Sequence, residues 1–478
     1  MAAPQPISNR YVGPLLVLLV LADLALTFGQ NYLLPLDGDL AAIVLPSPWY
    51  KTVLHDPFGW AVLTKNAVYA APNRFFAHAA MVGYWRYVPR GLQALATPIE
   101  SIYLAGALFN TAVQVLLLSL LATYIRPLLP GAGRRSWWLA VVVLAPLFQM
   151  TSFNAQMGIL SRAWTYTFFY AFPLALLLLW LLPFHRAALR GQRFRLAWPL
   201  ALLWVAFAVV LAFNGTVVTA AVVVLLLGVV AHGARVRWRT GAGPAWWSGQ
   251  ALRLGLWLGA LCALSLYIGR NNAENNHAYS IWELYAKLPQ GILNILKGKL
   301  GLPLLLAFVL LNAQLVRRFT LPTAAGQRVQ QVLRWVGLFA LIYLLLLPFG
   351  GYRPYRAYLV RNDSVLPILL GLVFAYGLST LHLLRELPAA ARRWYVGSLV
   401  LVLAVFVNAD RKLWVRENNY CERASLQQLA QAPEDVVHLP ADCHVLSWEA
   451  IADPAQSAAQ ADLLYYWGVT PVRKRYYQ

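Results

Sequence analysis

Read for hydrophobic pattern alone, the chain alternates long apolar runs with short polar connections. Stretches such as YVGPLLVLLVLADLALTF (11 to 28) and IYLAGALFNTAVQVLLLSLLATYI (102 to 125) are long enough, at a rise of about 1.5 Å per residue, to cross a hydrocarbon core of roughly 30 Å. Lipid offers backbone N–H and C=O groups no partners, so such runs cross as helices. Eleven spans are expected, at about 11–28, 102–125, 137–153, 165–182, 196–213, 217–232, 253–269, 300–316, 332–349, 365–384 and 394–408. The first has Pro6 and Arg10 ahead of it and no small-residue cleavage signal behind it, so it reads as a retained helix rather than a signal peptide.

Composition agrees with the pattern. Hydrophobic residues make up 60% of the chain and charged residues 12%, and mean hydropathy is +0.56. An all-α polytopic membrane protein is expected. Its transmembrane domain would cover 1–408 and a separate extracytoplasmic segment 409–478.

Charge sets the orientation. Arg10 and the connections 126–136, 183–195, 231–253, 317–334 and 385–393 hold 19 Arg, no Lys and one acid, Glu386. By the positive-inside rule these face the cytoplasm, so the N-terminus is inside a cytoplasmic (inner) membrane and the C-terminus outside. All seven Lys fall on the outer side, for which there is no physical account. The net charge of +21 is thus largely topological, beside anionic membrane lipids, and calls for no nucleic-acid partner.

The outer segments are the unusual ones. Residues 29–101 and 270–299 form long loops, and long loops are more often functional than connective. An apolar stretch near 75–96 carries Phe75, Phe76, Tyr84, Trp85, Tyr87 and Leu92 with Arg86 and Arg90; a second, from Ile281 to Leu296, repeats apolar residues every three or four positions. Both read as interfacial helices, either anchors or walls of a lipid-facing site. The tail 408–478 holds nine of the 18 acids and no run long enough to span. Cys421 and Cys443 both lie in it, where an oxidising compartment permits a disulfide; Cys262, inside a span, reads as a packing residue.

Nine acids lie outside the tail, and seven of them face outward: Asp37, Asp39, Asp56, Glu100, Glu274, Glu283 and Asp363. Asp37 and Asp39 flank Gly38 directly after the first span, in LPLDGDLA. Both carboxylates are placed to approach one hydroxyl, or one divalent cation such as Mg2+ or Mn2+. Equally, Asp39 is placed to cap the helix beginning LAAIV while Asp37 is solvated. His55 and Asp56 in LHDPFGW read as a substrate-facing acid and base pair or as a capped loop, and Asn73, Arg74 and His78 in APNRFFAHAA form a further candidate polar cluster for substrate; Arg74 and His78 share a helix face. Asp23, inside the first span, reads as structural or as a proton carrier.

The loop FGGYRPYRAYLVRNDSVLP sets Arg353, Arg356, Arg361 and Asp363 among Tyr352, Tyr355 and Tyr358 on the side where topology does not ask for arginine. Arginine forks match phosphate, so a phosphate or pyrophosphate of a lipid carrier is the natural ligand, with lipid headgroups as the other candidate. Arg162 and Arg270 stand beside spans on the same side, and the run Asn271, Asn272, Glu274, Asn275, Asn276 and His277 suits sugar hydroxyls or a solvated turn.

With these pieces the arrangement resembles the GT-C superfamily of polytopic glycosyltransferases. The resemblance rests on the number of spans, the cytoplasmic N-terminus, an acidic motif (Asp37, Gly38, Asp39) opening a long first outer loop, interfacial helices in that loop and an external C-terminal segment. The chain also resembles bacterial membrane proteins with similar DGD, DPFG and PNRFF runs, which implies no activity. The GT-C resemblance implies a polyprenyl-phosphate-linked sugar donor, Asp37 or Asp39 as the base or metal ligand that activates an acceptor hydroxyl, and Arg353, Arg356 or Arg361 on the donor phosphate. No oligosaccharyltransferase-type WWDxG motif is present. A transporter or flippase of a lipid-linked or anionic substrate, and a membrane scaffold, are the alternatives; no repeat between the two halves supports the paired broken helices of many transporters.

Overall fold

In the computed structural model, residues 9–129, 131–148, 157–275, 278–353, 355–411 and 418–478 are described. Asn276, His277, Pro6 and the end of the third expected span lie outside them. Among the described residues nine helices are long and apolar enough to cross a membrane: Val12–Tyr32, Pro98–Leu128, Trp164–Arg190, Thr216–Thr240, Gly249–Gly269, Gly301–Thr320, Ala324–Gly350, Leu366–Glu386 and Ala389–Ala409. The chain is an all-α, multi-pass membrane protein.

Two of the expected spans are shorter. Trp198–Ala212 has 15 residues, and the third span begins as Arg134–Leu144 followed by the 3-10 turn Ala145–Leu147. Both nevertheless return the chain to the end it came from. Tyr103, near the start of Pro98–Ile125, and Thr165, beyond the third span, both reach the neighbourhood of residues 36–39, through Glu422 and Asp37 respectively. Likewise the N–H of Phe76 donates to the carbonyl of Phe213. Trp198–Ala212 stops early because Gly215 follows at φ +105°, where a Cβ would stand 3.0 Å from Arg74 Nε.

Leu366–Glu386 and Pro98–Leu128 form the centre, with 78% and 61% of their apolar stretches buried against 11% for Val12–Tyr32. Polar groups in that dry interior are costly unless paired, and here they stitch helices together. Asn110 Nδ2 donates to Asn31 Oδ1 at 2.8 Å. Asn312 donates to Ser379 and Thr380 at 2.9 and 3.1 Å and accepts from Tyr395 at 2.9 Å. Asp23 is half-buried in the first helix.

Helix starts absorb three of the seven acids expected to face outward. Glu100 closes a capping box with Thr97, and Glu283 one with Ser280. Asp56 accepts the N–H groups of Trp60 and Ala61 and the Tyr69 hydroxyl at 2.6, 2.8 and 2.8 Å, which starts the helix Trp60–Lys65. The stretch expected at 75–96 is the helix Phe75–Leu92, with His78, Met81 and Trp85 buried in the protein. The second amphipathic stretch is two helices, Ile281–Ala286 and Leu288–Gly298, the latter opening on Pro289, which suits a first turn because it lacks an N–H.

The tail shares the core of the bundle. It contains the helices Tyr420–Gln431 and Ala458–Tyr466 and a parallel pair of strands, Val436–His438 with Arg475–Tyr477. Trp467, fully buried, donates from Nε1 to the Trp85 carbonyl at 2.9 Å. Asn419 bonds the backbone of Tyr32, Leu33 and Leu34. Cys421 and Cys443 are joined by a disulfide, and Cys262 is a buried free thiol.

Candidate functional site

The sharpest division at the site lies within the Asp-Gly-Asp turn. Asp37 is buried: its Oδ1 accepts from the Thr165 hydroxyl at 2.8 Å and from the Asp39 N–H at 3.2 Å, and its Oδ2 accepts from the Thr165 N–H at 3.1 Å. Burial, and then the neighbouring charge of Asp39, push the Asp37 carboxyl up to about 7. It is therefore neither solvated nor pointed at open space. Asp39 occupies the cap position of Leu40–Val44, but its side chain makes no capping bond. It turns instead into a cavity of about 1220 Å3.

Gly38 is small because Trp448 lies against it. A Cβ there would stand 2.6 Å from both the backbone nitrogen and Cδ1 of Trp448. This close approach lets the Trp448 Nε1–H donate to Asp39 Oδ1 at 3.2 Å. The contact is held from behind by Glu422, which is buried and accepts the N–H of Leu36 (2.8 Å), the N–H of Leu446 (3.3 Å) and the Tyr103 hydroxyl (2.8 Å). One carboxylate thus ties the acidic turn to the tail loop that carries Trp448.

Across the cavity stand the arginines expected from the sequence. Arg353 pairs with Glu274 at 2.6 Å. Arg361 forks onto Asp363 through Nε and Nη2, both at 3.0 Å, and Arg356 adds a single bond from Nη1 at 2.7 Å. Burial works to raise Asp363, yet Arg361 and Arg356 hold it down at about 2. Glu274 follows the same balance: burial opposes ionisation, and Arg353, Arg74 and the Tyr50 hydroxyl keep it below the ordinary range. Burial raises Asp39, while the Trp448 N–H and the charges of Arg356 and Arg353 pull the other way without overcoming it. The lining carries five cations (Arg74, Lys299, Arg353, Arg356, Arg361) against three acids (Asp39, Glu274, Asp363). Such a basin favours an anion.

Three elements set this geometry. After a first turn, Trp164–Tyr166, span Trp164–Arg190 passes through the π-helical turn Thr167–Ala171, whose wider winding presents Phe169 and Tyr170 to the cavity. The two long loops are joined by a bridge between Tyr69 and Asn272, whose Oδ1 also accepts the N–H of Ala71 and of Glu274. Arg74 and His78, one helical turn apart, line the cavity from Phe75–Leu92 and its cap.

Several expected residues stand elsewhere. His55 is exposed at the end of Pro48–His55, outside the lining, and Asp56 is a helix start, so neither faces the cavity. Arg270 stacks on Tyr267 at 4.0 Å and is not part of the lining; Arg162 neighbours the lining residue Ser161 without joining it. Both oxygens of Asp37 accept hydrogen bonds, whereas Asp39 faces the cavity. Among the described residues no three His, Cys, Asp or Glu side chains cluster as a metal centre needs. Trp448, Tyr50, Thr165 and Glu422 were not legible as site residues; a tryptophan 409 positions from its carboxylate partner leaves no local signal.

No family model matches the sequence, and no curated protein or solved structure is significantly similar to it.

Proposed function

We propose that the protein is a membrane glycosyltransferase that moves a sugar from a polyprenyl-phosphate carrier to a cell-envelope acceptor at the outer face of the cytoplasmic membrane. The observation that carries this reading is a single cavity in which the Asp39 carboxylate faces Arg353, Arg356 and Arg361. Its wall also includes Ile295, Leu302, Leu366 and Leu369, an apolar side suited to a prenyl chain. Ile295 belongs to the amphipathic helix Leu288–Gly298, a reasonable doorway from the membrane interface. In this reading the chain crosses eleven times, with Trp198–Ala212 and the segment from Arg134 as short spans, and the cavity lies on the side away from the arginine-rich connections.

The chemistry is a single displacement. Asp39 takes the proton of an acceptor hydroxyl as that oxygen bonds to the anomeric carbon. The bond from that carbon to the phosphate oxygen breaks, and its electron pair leaves on the phosphate, whose growing charge the arginines stabilise. A carboxylate raised by burial is a better base than a solvated one. Asp37 is a positioning residue, fixing the Asp39 backbone against Thr165. The arginines supply the positive charge on the phosphate, and no step is assigned to a metal.

The test is Asp39→Asn in cells making the protein at the wild-type level, with lipid-linked sugars and envelope glycans followed by mass spectrometry. Accumulation of sugar-loaded carrier with loss of the modified acceptor is expected. Full transfer by the folded variant refutes the assignment. Loss of carrier movement across the membrane, with every glycosidic bond still made, would instead support a transporter.

A further inference from the structure

The cavity is not uniform, and the end formed by Arg74 and His78 is built for a different chemical group from the end formed by the arginine loop. Both residues are almost fully buried, at 7% and 1% exposure. The His78 Nδ1 lies 2.9 Å from the Arg74 carbonyl oxygen. A carbonyl only accepts, so Nδ1 carries the proton and Nε2 is left as a bare acceptor. That Nε2 has no partner among the described residues, and neither does Arg74 Nε. Burial keeps the imidazole neutral, pushing it down to about 4, so the acceptor persists at physiological pH.

Unsatisfied buried polar groups that line a cavity indicate what should fill it. A phosphate dianion or a carboxylate brings no proton and would leave Nε2 unsatisfied. A hydroxyl does both jobs, donating to His78 and accepting from the guanidinium of Arg74. The surroundings suit a ring that carries such hydroxyls: Tyr50 and Phe169 flank the imidazole at 5.5 and 4.8 Å between centroids, and the guanidinium carbon of Arg74 stands 4.9 Å over Phe169. Glu274, which interacts electrostatically with Arg74 and pairs with Arg353, separates this end from the arginine loop.

We propose that the Arg74–His78 end is a hydroxyl-recognition subsite for a neutral, polyhydroxylated ring, with His78 Nε2 accepting a hydrogen bond from one ring hydroxyl and Arg74 donating to the same ring. Its identification with the sugar of the lipid-linked donor rests on the transferase reading above; the hydroxyl chemistry does not. The arginine loop then takes the phosphate, and the two ends together measure a sugar phosphate.

The full chain in lipid nanodiscs provides the test, with a polyprenyl-phosphate hexose and the sugar-free polyprenyl phosphate as probes. His78→Leu should weaken the sugar-bearing lipid by about 10- to 100-fold, the scale of an unpaired buried partner, and leave the sugar-free lipid within about twofold. His78→Gln, whose amide oxygen restores an acceptor, should recover most of the loss. Equal weakening of both lipids, no weakening of either, or a wild-type protein that does not prefer the sugar-bearing lipid overturns the subsite. Should His78→Leu not fold, 15N NMR of the wild-type histidines decides. The Nε2 resonance of His78 should move with hexose 1-phosphate and stay put with inorganic phosphate; the reverse result, or no movement with either, overturns the proposal. The two readings fail separately. Sugar-selective binding through His78 without Asp39-dependent transfer leaves the subsite standing and removes the transferase, whereas Asp39-dependent transfer with no sugar selectivity at His78 does the opposite.

Discussion

Arginines at the two ends of the bundle look alike in sequence and behave as different residues in the fold. Eighteen of the nineteen at the end away from the cavity, from Arg126 to Arg393, have described side chains, and all are exposed. The four that line the cavity, Arg74, Arg353, Arg356 and Arg361, are half-buried or buried, and three of them grip a carboxylate: Arg353 on Glu274, and Arg356 with Arg361 on Asp363. The first group can act through charge alone, which a membrane potential or anionic lipid reads without fixed geometry. The second is oriented, and orientation is what recognition of a single phosphate requires. The difference lies in what surrounds the guanidinium.

The comparison breaks most readily at Arg356. Arg356→Ala should lower sugar transfer by about 100- to 1,000-fold, and Arg356→Lys should not restore it fully, because an ammonium cannot fork onto Asp363 and a phosphate together. Initial rates with a lipid-linked sugar would read this out.

A smaller effect is expected at Trp448. Its N–H lowers the Asp39 carboxyl, so Trp448→Phe should raise it further. The rising limb of the pH–rate profile then moves to higher pH, with a rate loss of about tenfold at neutral pH. A uniform loss at every pH would mean that the indole only packs.

Stability gives a third measurement. Burial raises Glu422 to about 7 from its ordinary 4.5, so its protonated form is favoured in the fold. That contribution is fully present below about pH 4.5 and lost as the pH rises through about 7, on the order of 3 kcal/mol in all. Glu422→Gln should flatten this fall in thermal stability between pH 4.5 and 7. An unchanged slope would place the titration elsewhere.

The smallest effect belongs to the other end. Replacing Arg235, Arg237 and Arg239 together by Gln should change transfer by less than about twofold in correctly inserted protein and show itself only as a fraction of inverted chains, scored by protease accessibility.

Much of the architecture was legible because its causes are local. An apolar run of 20 residues dictates a helix in lipid wherever it occurs, and clustered arginine with no lysine and a single acid, Glu386, marks one set of connections. The arginine loop and Asp39 stood out by residue type against their topological side. The shorter spans blurred because Gly215 ends one early for the sake of a contact with Arg74, a residue far away in the chain. Asp56 stood among the candidates for substrate contact until the helix it starts was visible, and Glu100 and Glu283 likewise open helices.

The sequence by itself determined that the chain is helical and crosses a membrane many times, and it narrowed the acids and arginines to a short set. Only the tertiary structure gave Asp37 and Asp39 different surroundings. The two differ by two positions and share a residue type; what separates them is that Thr165 fills both oxygens of one, while the other meets Trp448 and open space. Desolvation and hydrogen bonding depend on groups brought from 128 and 409 positions away, and no local pattern encodes such a meeting.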